Sequence, residues 1–421
     1  MSSVPAQVRR VRHGMPAQAS LYAMSSVVSQ VLLAVLYLVA ARRLGPSHFG
    51  TAVAGIAISA FLSGLVDFGL STYWIRELSA GRMSVRKFQS EALGKVVIGS
   101  SVGLVAGAVL MLAGSDFWIA GPLTCVVAIA QVAVVPLRAH QMPLRSFVVG
   151  IVDKGMSLLV YFALGSLGVY GLGLTLAAGG VTGAAFAYFL MPAAYRHQWH
   201  GVRPSNAWRS SKNFGLFGLG VSAQALDVTL LERLSGSEAA GIYGAVTRWT
   251  APMMLAASAV ATAFVPIASA APTARAAWSR LRASLWIIGL AVGGCGVVAM
   301  IAPWLVGLVL GSRYESSVAV LRILAVTAAF ATVNQVLVVL LQARGRDGFV
   351  AKAVLSSVAL QAVALMALAS ALGALGASIS SAIAQATLCT ACVIGCRHLL
   401  RSEKNVGSLP LSSHPVSKEA S

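Results

Sequence analysis

Long apolar runs, separated by short turns that contain glycine or proline, dominate the pattern of this chain. Each run has about 20 or more residues, which at about 1.5 Å per residue matches a hydrocarbon core about 30 Å thick. The pattern predicts an all-α polytopic membrane protein with about 12 transmembrane helices. The predicted spans cover residues 19–41, 51–75, 91–113, 117–137, 147–167, 172–195, 213–231, 242–268, 283–309, 317–341, 350–371 and 375–396.

The charge balance supports this class and indicates an orientation. Only 10% of the 421 residues are charged, against roughly 25% in soluble domains. The formal net charge of +19 is distributed unevenly, since 23 of the 31 lysines and arginines lie in or beside alternate loops and four lie in the opposite loops. Basic loops stay in the cytoplasm, so both termini are predicted to be cytoplasmic. We attribute the positive charge to this topology and expect no nucleic-acid partner.

A sequence repeat relates the two halves of the chain. The turn GPSHFG after Arg43-Leu44 resembles SGSEAAG after Arg233-Leu234. Two further pairs of turns recur, and all three offsets are near 190–205: the turn at residues 168–171 resembles that at 373–376, and the turn at 114–117 resembles that at 311–314. Six spans per repeat predict two pseudo-symmetric six-helix bundles related by an axis along the membrane normal, with a solute site between them. The predicted division is a cytoplasmic tail (1–18), an N-terminal lobe (19–195), a cytoplasmic loop (196–212), a C-terminal lobe (213–396) and a cytoplasmic tail (397–421).

Ionisable residues inside the predicted spans are candidates for function, because such residues are costly in a membrane. In the N-terminal half, Asp67 lies at the same estimated depth as Asp153 and Lys154. We hypothesise an Asp67–Lys154 pair, or a cluster shared with Asp153. Lys95 lies four residues into its span and is expected to extend toward the interface.

The C-terminal half repeats this pattern nearer the outer face. Asp227 and Arg248 lie on helices joined by a glycine-containing turn, which predicts a contact between them. Arg322 is a candidate second cation at this level. Among the uncharged polar residues of the spans, Asn334 and Gln335 are the candidate site residues, although interhelical hydrogen bonding is the commoner use of such side chains.

Enzymatic and metal chemistry find little support in the sequence. Cys389, Cys392 and Cys396 have helical spacing, but no histidine or acidic residue lies in their span, so we interpret them as small apolar side chains. A phosphate-binding loop of the G-x-x-x-x-G-K-[ST] type is absent. The longest internal loop carries no carboxylate. We therefore predict a transporter with no cofactor and no bound metal, rather than an enzyme.

Three stretches resemble one family of transporters. They are RRLGPSHFGTAVAGIAISAFLSGLVDFGLSTYWIREL, then GSEAAGIYGAVTRW with Phe264-Val265-Pro266, and LVLGSRYESSVAVLRILA followed by LLQARGR. Together they resemble the polysaccharide (O-antigen-type) flippases of the multidrug/oligosaccharidyl-lipid/polysaccharide exporter superfamily, and the similarity extends from about residue 20 to 396. It consists of turns and helix ends, so it specifies the family better than the substrate.

The resemblance implies a V-shaped cavity between two lobes, which opens alternately to either side of a bacterial cell membrane. The implied cargo is an undecaprenyl-pyrophosphate-linked oligosaccharide, driven by a proton or sodium gradient. Lys154, Arg248 and Arg322 are the residues here that would supply the cationic cavity, and Asp67 or Asp227 would carry the coupling ion. Membrane lipids, a polysaccharide polymerase and glycosyltransferases are the implied partners.

Two other functions remain open from the sequence. A multidrug-extrusion antiporter of the same superfamily would share the fold, but its mostly cationic cargo does not suit a net cationic cavity. A scaffold that recruits a polymerase without transporting would have no need for charged residues within its spans.

Overall fold

The computed structural model describes residues 15–196, 208, 212–249, 253, 261, 264, 271, 273–282 and 285–406. Regular structure in this part is helical, and nine helical segments are long and apolar enough to cross a membrane. The predicted all-α polytopic class is confirmed. The helices are α1 (Met15–Asp67), α2 (Leu70–Ser79), α3 (Val85–Leu112), α4 (Ala120–Ala139), α5 (Pro143–Leu164), α6 (Val169–Leu190), α7 (Lys212–Gln224), α8 (Leu226–Thr247), α9 (Ala274–Arg282), α10 (Leu285–Val309), α11 (Ser317–Ala343), α12 (Asp347–Leu372) and α13 (Ala374–Val406).

The first two predicted spans are the two arms of α1, which bends sharply at Gly45. This residue has φ 73° and ψ 171°, a conformation that glycine adopts without strain. Pro46 follows and lacks the N–H that would continue the helical hydrogen bonds. Gly236 bends α8 in the same way, with φ 88° and ψ 168°. The two bends lie in the turns that the sequence repeat paired.

The second pair of equivalent turns also shares one backbone conformation. Gly168 has φ 63° and ψ −130°, and Gly373 has φ 53° and ψ −128°. In the third pair, Gly114 and Gly311 both have positive φ, at 66° and 88°. Similar glycine conformations at equivalent positions support two copies of one six-helix pattern.

Two predicted spans end or break earlier than expected, and each break lies beside a carboxylate. The span predicted for 51–75 ends at Asp67, because Phe68 and Gly69 have φ of 38° and 72° and separate α1 from α2. The span predicted for 213–231 is divided between α7 and α8 at Ala225, two residues before Asp227. The span predicted for 242–268 begins in α8, and most of it lies outside the described residues.

The short helix α2 ends in a compact ion pair outside the candidate spans. Arg82 Nε lies 2.8 Å from Glu77 Oε2, and Arg82 Nη2 donates to Oε1 at 3.0 Å. This hydrogen bonding lowers the pKa of Glu77 to about 2. The carboxylate therefore stays ionised at any physiological pH and keeps the turn after α2 closed.

The two halves of the chain meet along a tight seam between α1 and α8. Gly50 and Gly241 allow the helix backbones to approach: a Cβ added to Gly50 would lie 1.9 Å from Ser237 O, and one added to Gly241 would lie 1.8 Å from Pro46 O. Ser47 Oγ and Ser237 Oγ share a hydrogen bond of 2.8 Å. The two equivalent turns of the repeat thus contact each other directly.

An extensive apolar cluster fills the seam beside these turns. It contains side chains from both halves, among them Phe49, Leu172, Leu231 and Leu321, all fully buried. Dense apolar packing of this kind leaves no room for a polar solute between the halves at this level.

The seam makes the substitution Gly241→Ala costly. The new methyl group meets backbone, which cannot move without separating two helices, so we expect a loss of about 1–3 kcal/mol in the free energy of unfolding. Gly296→Ala, in α10, is the matched control, because a Cβ there has no neighbour within 4 Å. It should be neutral or stabilising by up to about 1 kcal/mol. Thermal unfolding in detergent measures both, and equal shifts would contradict the seam.

Candidate functional site

A cavity of about 670 Å³ lies within the C-terminal half of the chain. Helices α7, α8, α11, α12 and α13 form its walls, and every described lining residue falls between Val221 and Leu388. The sequence predicted a solute site between the two halves. The structure instead places this cavity inside one half, because the apolar cluster occupies the seam.

Primary amides are the main polar groups of the cavity wall. Hydroxyl groups of Thr247, Thr327 and Ser381 also line the cavity. On α11, Thr327 and Asn334 are seven residues apart and Gln335 and Gln342 are also seven apart, so one face of this helix points into the cavity. The lining amides are Gln224, Asn334, Gln335, Gln342, Gln361 and Gln385.

Asp227 is the carboxylate of the cavity and belongs to a hydrogen-bond network. Tyr243 donates its hydroxyl proton to Asp227 Oδ2 at 2.6 Å, and Gln361 Nε2 lies 3.5 Å from the same oxygen. Ser381 Oγ lies 2.9 Å from the Tyr243 hydroxyl and 3.1 Å from Gln361 Nε2. Residues of α8, α12 and α13 therefore surround one carboxylate.

Asp227 lies beside the slight interruption between α7 and α8, where Ala225 keeps helical backbone angles of φ −65° and ψ −20°. Asp227 is the second residue of α8, and the Val228 N–H donates to Asp227 Oδ1 at 2.6 Å. Unpaired N–H groups and the helix dipole make the first turn of a helix favourable for negative charge.

Arg248 is the described guanidinium group of the cavity wall, directly after α8. It lies over the ring of Tyr37, 5.0 Å from its centroid, and so reaches the N-terminal half. The predicted Asp227–Arg248 contact is not a salt bridge: among the described residues no such pair lies within 4.0 Å. Tyr243 and Gln361 contact the carboxylate directly, and the charge of Arg248 acts on it at longer range. Both residues nevertheless line the same cavity.

Asn334 and Gln335 both line the cavity. Asn334 Nδ2 donates to the backbone oxygen of Gln385 at 3.0 Å and to its side-chain Oε1 at 2.9 Å. Asn334 Oδ1 is buried and has no hydrogen-bond partner in the described part of the chain. An unpaired buried acceptor at a cavity wall is a position where a ligand hydroxyl gains a full hydrogen bond.

The predicted Asp67–Lys154 pair is wrong. Asp67 forms its ion pair with Lys95, which is fully buried and does not extend to the interface as expected. Lys95 Nζ also donates to Gln131 Oε1 at 2.9 Å and to Ser71 Oγ at 3.2 Å. The helix break after Asp67 causes this, because the carboxylate lies at the end of α1, where α3 passes.

The other two predicted cavity cations do not line this cavity. Lys154 lies 2.8 Å from Asp153 Oδ2, with both side chains about one quarter exposed. Arg322 is exposed, and its Nε lies 3.3 Å from Ala299 O on α10. The described charged lining is one carboxylate and one guanidinium, so the expectation of a net cationic site is not met in this cavity.

Sequence reasoning missed Tyr243, Thr247 and Gln342 as cavity residues. Tyr243 follows Asp227 by 16 residues, and the sharp bend at Gly236 between them folds the second arm of α8 back toward the first. The glycine was a visible signal of a turn. The direction of the second arm depends on packing against α1 and leaves no trace in the local sequence.

Comparisons with known proteins show the fold. No family model matches the chain, and no curated protein matches it. Among solved structures, an inward-facing multidrug resistance MATE family transporter of the MOP superfamily aligns with TM-score 0.70 and 15% identity, over 91% of this chain and 99% of that one. A MOP superfamily transporter from Pyrococcus furiosus with a binding pocket of reverse polarity gives 0.62 at 16% identity, over 93% and 96%. An outward-facing MATE transporter gives 0.60 at 15%, over 92% and 96%. The chain therefore has the fold of MOP superfamily transporters.

Proposed function

We propose that this protein is an alternating-access carrier that moves an undecaprenyl-pyrophosphate-linked oligosaccharide from the inner to the outer leaflet of a bacterial cell membrane. An ion gradient drives the movement. The observation that carries the proposal is the amide-lined cavity, whose six Asn and Gln side chains face one space. Such a carrier acts in cell-surface polysaccharide synthesis, together with glycosyltransferases and a polymerase.

An amide wall suits a sugar better than most other cargo. Each amide presents both donors and acceptors, as each sugar hydroxyl does. Asn334 Oδ1 is already buried and unpaired in the described part of the chain, so a cargo hydroxyl that pairs with it gains a hydrogen bond that a cargo without donors does not. The cavity therefore selects for a cargo that is rich in hydroxyl groups.

The pyrophosphate needs at least one fixed cation, and Arg248 is the candidate. A guanidinium binds two phosphate oxygens at once, and this interaction strengthens away from water. Lys154 and Arg322 do not line the cavity, so we assign the headgroup to Arg248 alone. The prenyl tail remains in the surrounding lipid.

Asp227 is the candidate for ion coupling, ahead of Asp67 and Asp153. Asp67 and Asp153 each form a salt bridge with a lysine, whereas Asp227 forms none within 4.0 Å in the described part of the chain. Its hydrogen-bond partners there are neutral, and Arg248 acts on it only at longer range. A carboxylate with neutral partners can take up a proton or a sodium ion without breaking an ion pair. Because Asp227 lies in the cargo cavity, the coupling ion and the cargo compete for the same space, as ion-coupled transport requires.

In this proposal the seam between α1 and α8 is the element that opens and closes during alternating access. Gly50 and Gly241 bring equivalent turns into contact and close the seam at the end where α1 and α8 bend. With this end closed, the cargo path opens at the opposite end, and transport requires the turns to part.

Multidrug extrusion is the second candidate, favoured by the multidrug transporters among the matched structures. A single buried carboxylate would also suit a cationic drug. Aromatic organic cations bind best over aromatic rings. Tyr243 is the one aromatic side chain among the described lining residues, and its hydroxyl is engaged by Asp227. This composition favours the oligosaccharide.

Vesicles that contain the purified protein distinguish the two functions. We expect a fluorescent lipid-linked oligosaccharide to become accessible in the opposite leaflet, where a membrane-impermeant reductant bleaches it, and a cationic dye to remain untransported. Transport of the dye alone would establish extrusion instead.

The variant Gln335→Leu tests the role of the cavity in the same assay. Loss of one amide should lower oligosaccharide transport about three- to tenfold, as expected for one lost hydrogen bond. Thr387→Val is the control, since Thr387 lies on the exposed side of α13 and bonds only to Ile383 O among the described residues. Equal transport by Gln335→Leu and wild type would remove the cavity from the cargo path.

A further inference from the structure

A second concave site lies in the N-terminal half, far along the chain from the cargo cavity. It is a groove of about 500 Å³ between α3, α4 and α6. Its walls are aliphatic, and Ile129 and Val181 on its rim are 41% and 55% exposed. All three helices are candidate membrane spans, and the side chains exposed on the rim are apolar, as a surface in contact with lipid requires.

One end of the groove is polar and basic. Arg196, Tyr195 and Gln89 line this end, beyond the last turn of α6. Arg196 Nε donates to Met191 O at 3.0 Å, and Arg196 Nη2 donates to Phe189 O. These carbonyl groups fix the guanidinium in place while leaving its charge uncompensated by a carboxylate in the described part of the chain.

Gln89 provides a second unfilled position beside Arg196. Its Nε2 donates to Tyr195 O at 3.1 Å, which fixes the orientation of the amide. Its Oε1 is buried and accepts no hydrogen bond from the described residues. A fixed cation and a free acceptor therefore lie at one end of an apolar groove.

We propose that this groove binds one anionic glycerophospholipid whose headgroup carries a hydroxyl donor, with an acyl chain along the aliphatic walls. The phosphate lies against Arg196, and the headgroup hydroxyl donates to Gln89 Oε1. Charge complementarity selects this occupant, because a zwitterionic lipid adds a second cation beside a fixed guanidinium. The site is separate from the cargo cavity and does not depend on the proposed cargo.

Phosphatidylglycerol and phosphatidylcholine with identical chains test the headgroup. Binding is measured on the purified full-length protein as the lipids retained per molecule in native mass spectrometry and as the shift of the unfolding temperature. We expect phosphatidylglycerol to be retained preferentially, and Arg196→Gln to lower its retention about fivefold, the effect of one interfacial charge.

Arg145→Gln is the matched control for this loss. Arg145 Nη1 donates to Leu190 O at 2.7 Å, so it bonds to the same end of α6, but it does not line the groove. Its replacement should leave retention within twofold of wild type. An equal loss in both variants would mean that general surface charge attracts the lipid, and the site would be rejected.

Ala133→Phe tests the chain and remains informative if Arg196→Gln does not fold. Ala133 lies in the groove wall on α4, and a phenyl ring there fills the space that the acyl chain needs. Retention of phosphatidylglycerol should fall while the unfolding temperature in lipid-free detergent is maintained. Unchanged retention would place the lipid elsewhere and overturn the proposal.

Discussion

Replacing Lys95 by methionine is expected to lower the free energy of unfolding by about 3–5 kcal/mol, the cost of leaving a buried charge without its partner. The lysine is fully buried, and its ion pair with Asp67 is supported by Gln131 and Ser71. Its ammonium also lies 5.7 Å from the centre of the Trp74 ring. Without the lysine, the Asp67 carboxylate, which is only 18% exposed, has lost its ion-pair partner.

A double-mutant cycle distinguishes the Asp67–Lys95 ion pair from the Asp67–Lys154 pair that the sequence predicted. In Asp67→Asn/Lys95→Met both charges are gone, and we expect most of the lost stability to return, since the amide oxygen of the new side chain would still accept from Ser71. The corresponding cycle of Asp67 with Lys154 should be additive. Denaturation by sodium dodecyl sulfate from mixed micelles measures all the variants. Coupling to Lys154 in place of Lys95 would contradict the ion pair observed here.

Asp227→Asn is expected to abolish gradient-driven transport while leaving the protein folded. Asparagine has nearly the same shape, and its amide oxygen still accepts hydrogen bonds from Tyr243 and Gln361, so only the bond from the Val228 N–H is lost. It cannot take up a proton or hold a sodium ion by charge. The rate with an imposed gradient should fall to that of protein-free vesicles, whereas cargo exchange without a gradient should continue.

Asp116→Asn is the control for this loss. Asp116 also accepts a hydrogen bond from a tyrosine, with Tyr170 Oη at 2.7 Å, but it is exposed and outside the cavity. It should transport normally. Retention of gradient-driven transport by Asp227→Asn would move ion coupling to another carboxylate, and loss of exchange as well would assign Asp227 to cargo binding.

The hydrophobic pattern was sufficient for the fold class and for the internal repeat. Length and polarity of the apolar runs are local properties, and a membrane converts them directly into helices. The sharp bends at Gly45 and Gly236 were visible for the same reason: a glycine between two runs permits a backbone that other residues resist. The breaks after Asp67 and at Ala225 carried weaker local signals and were missed.

The candidate site was only partly predictable. Asp227, Arg248, Asn334 and Gln335 were singled out as polar groups in apolar runs, and all four line one cavity. The same criterion also selected Arg322, which faces away from it. A polar residue within a span needs either a partner side chain or a position at a cavity. Its polarity alone does not indicate which of the two it has.

The sequence by itself determined that this protein is a helical membrane protein with two related halves, because span length, charge asymmetry and turn chemistry act locally. Only the tertiary structure decided that Asp67 pairs with Lys95 and that the polar cavity lies within the C-terminal half. Each residue turns a helix by about 100°, so an error of one or two residues at a helix end changes the face on which a charge lies. Partners are set by the rotation and depth of packed helices, which are properties of the assembled bundle.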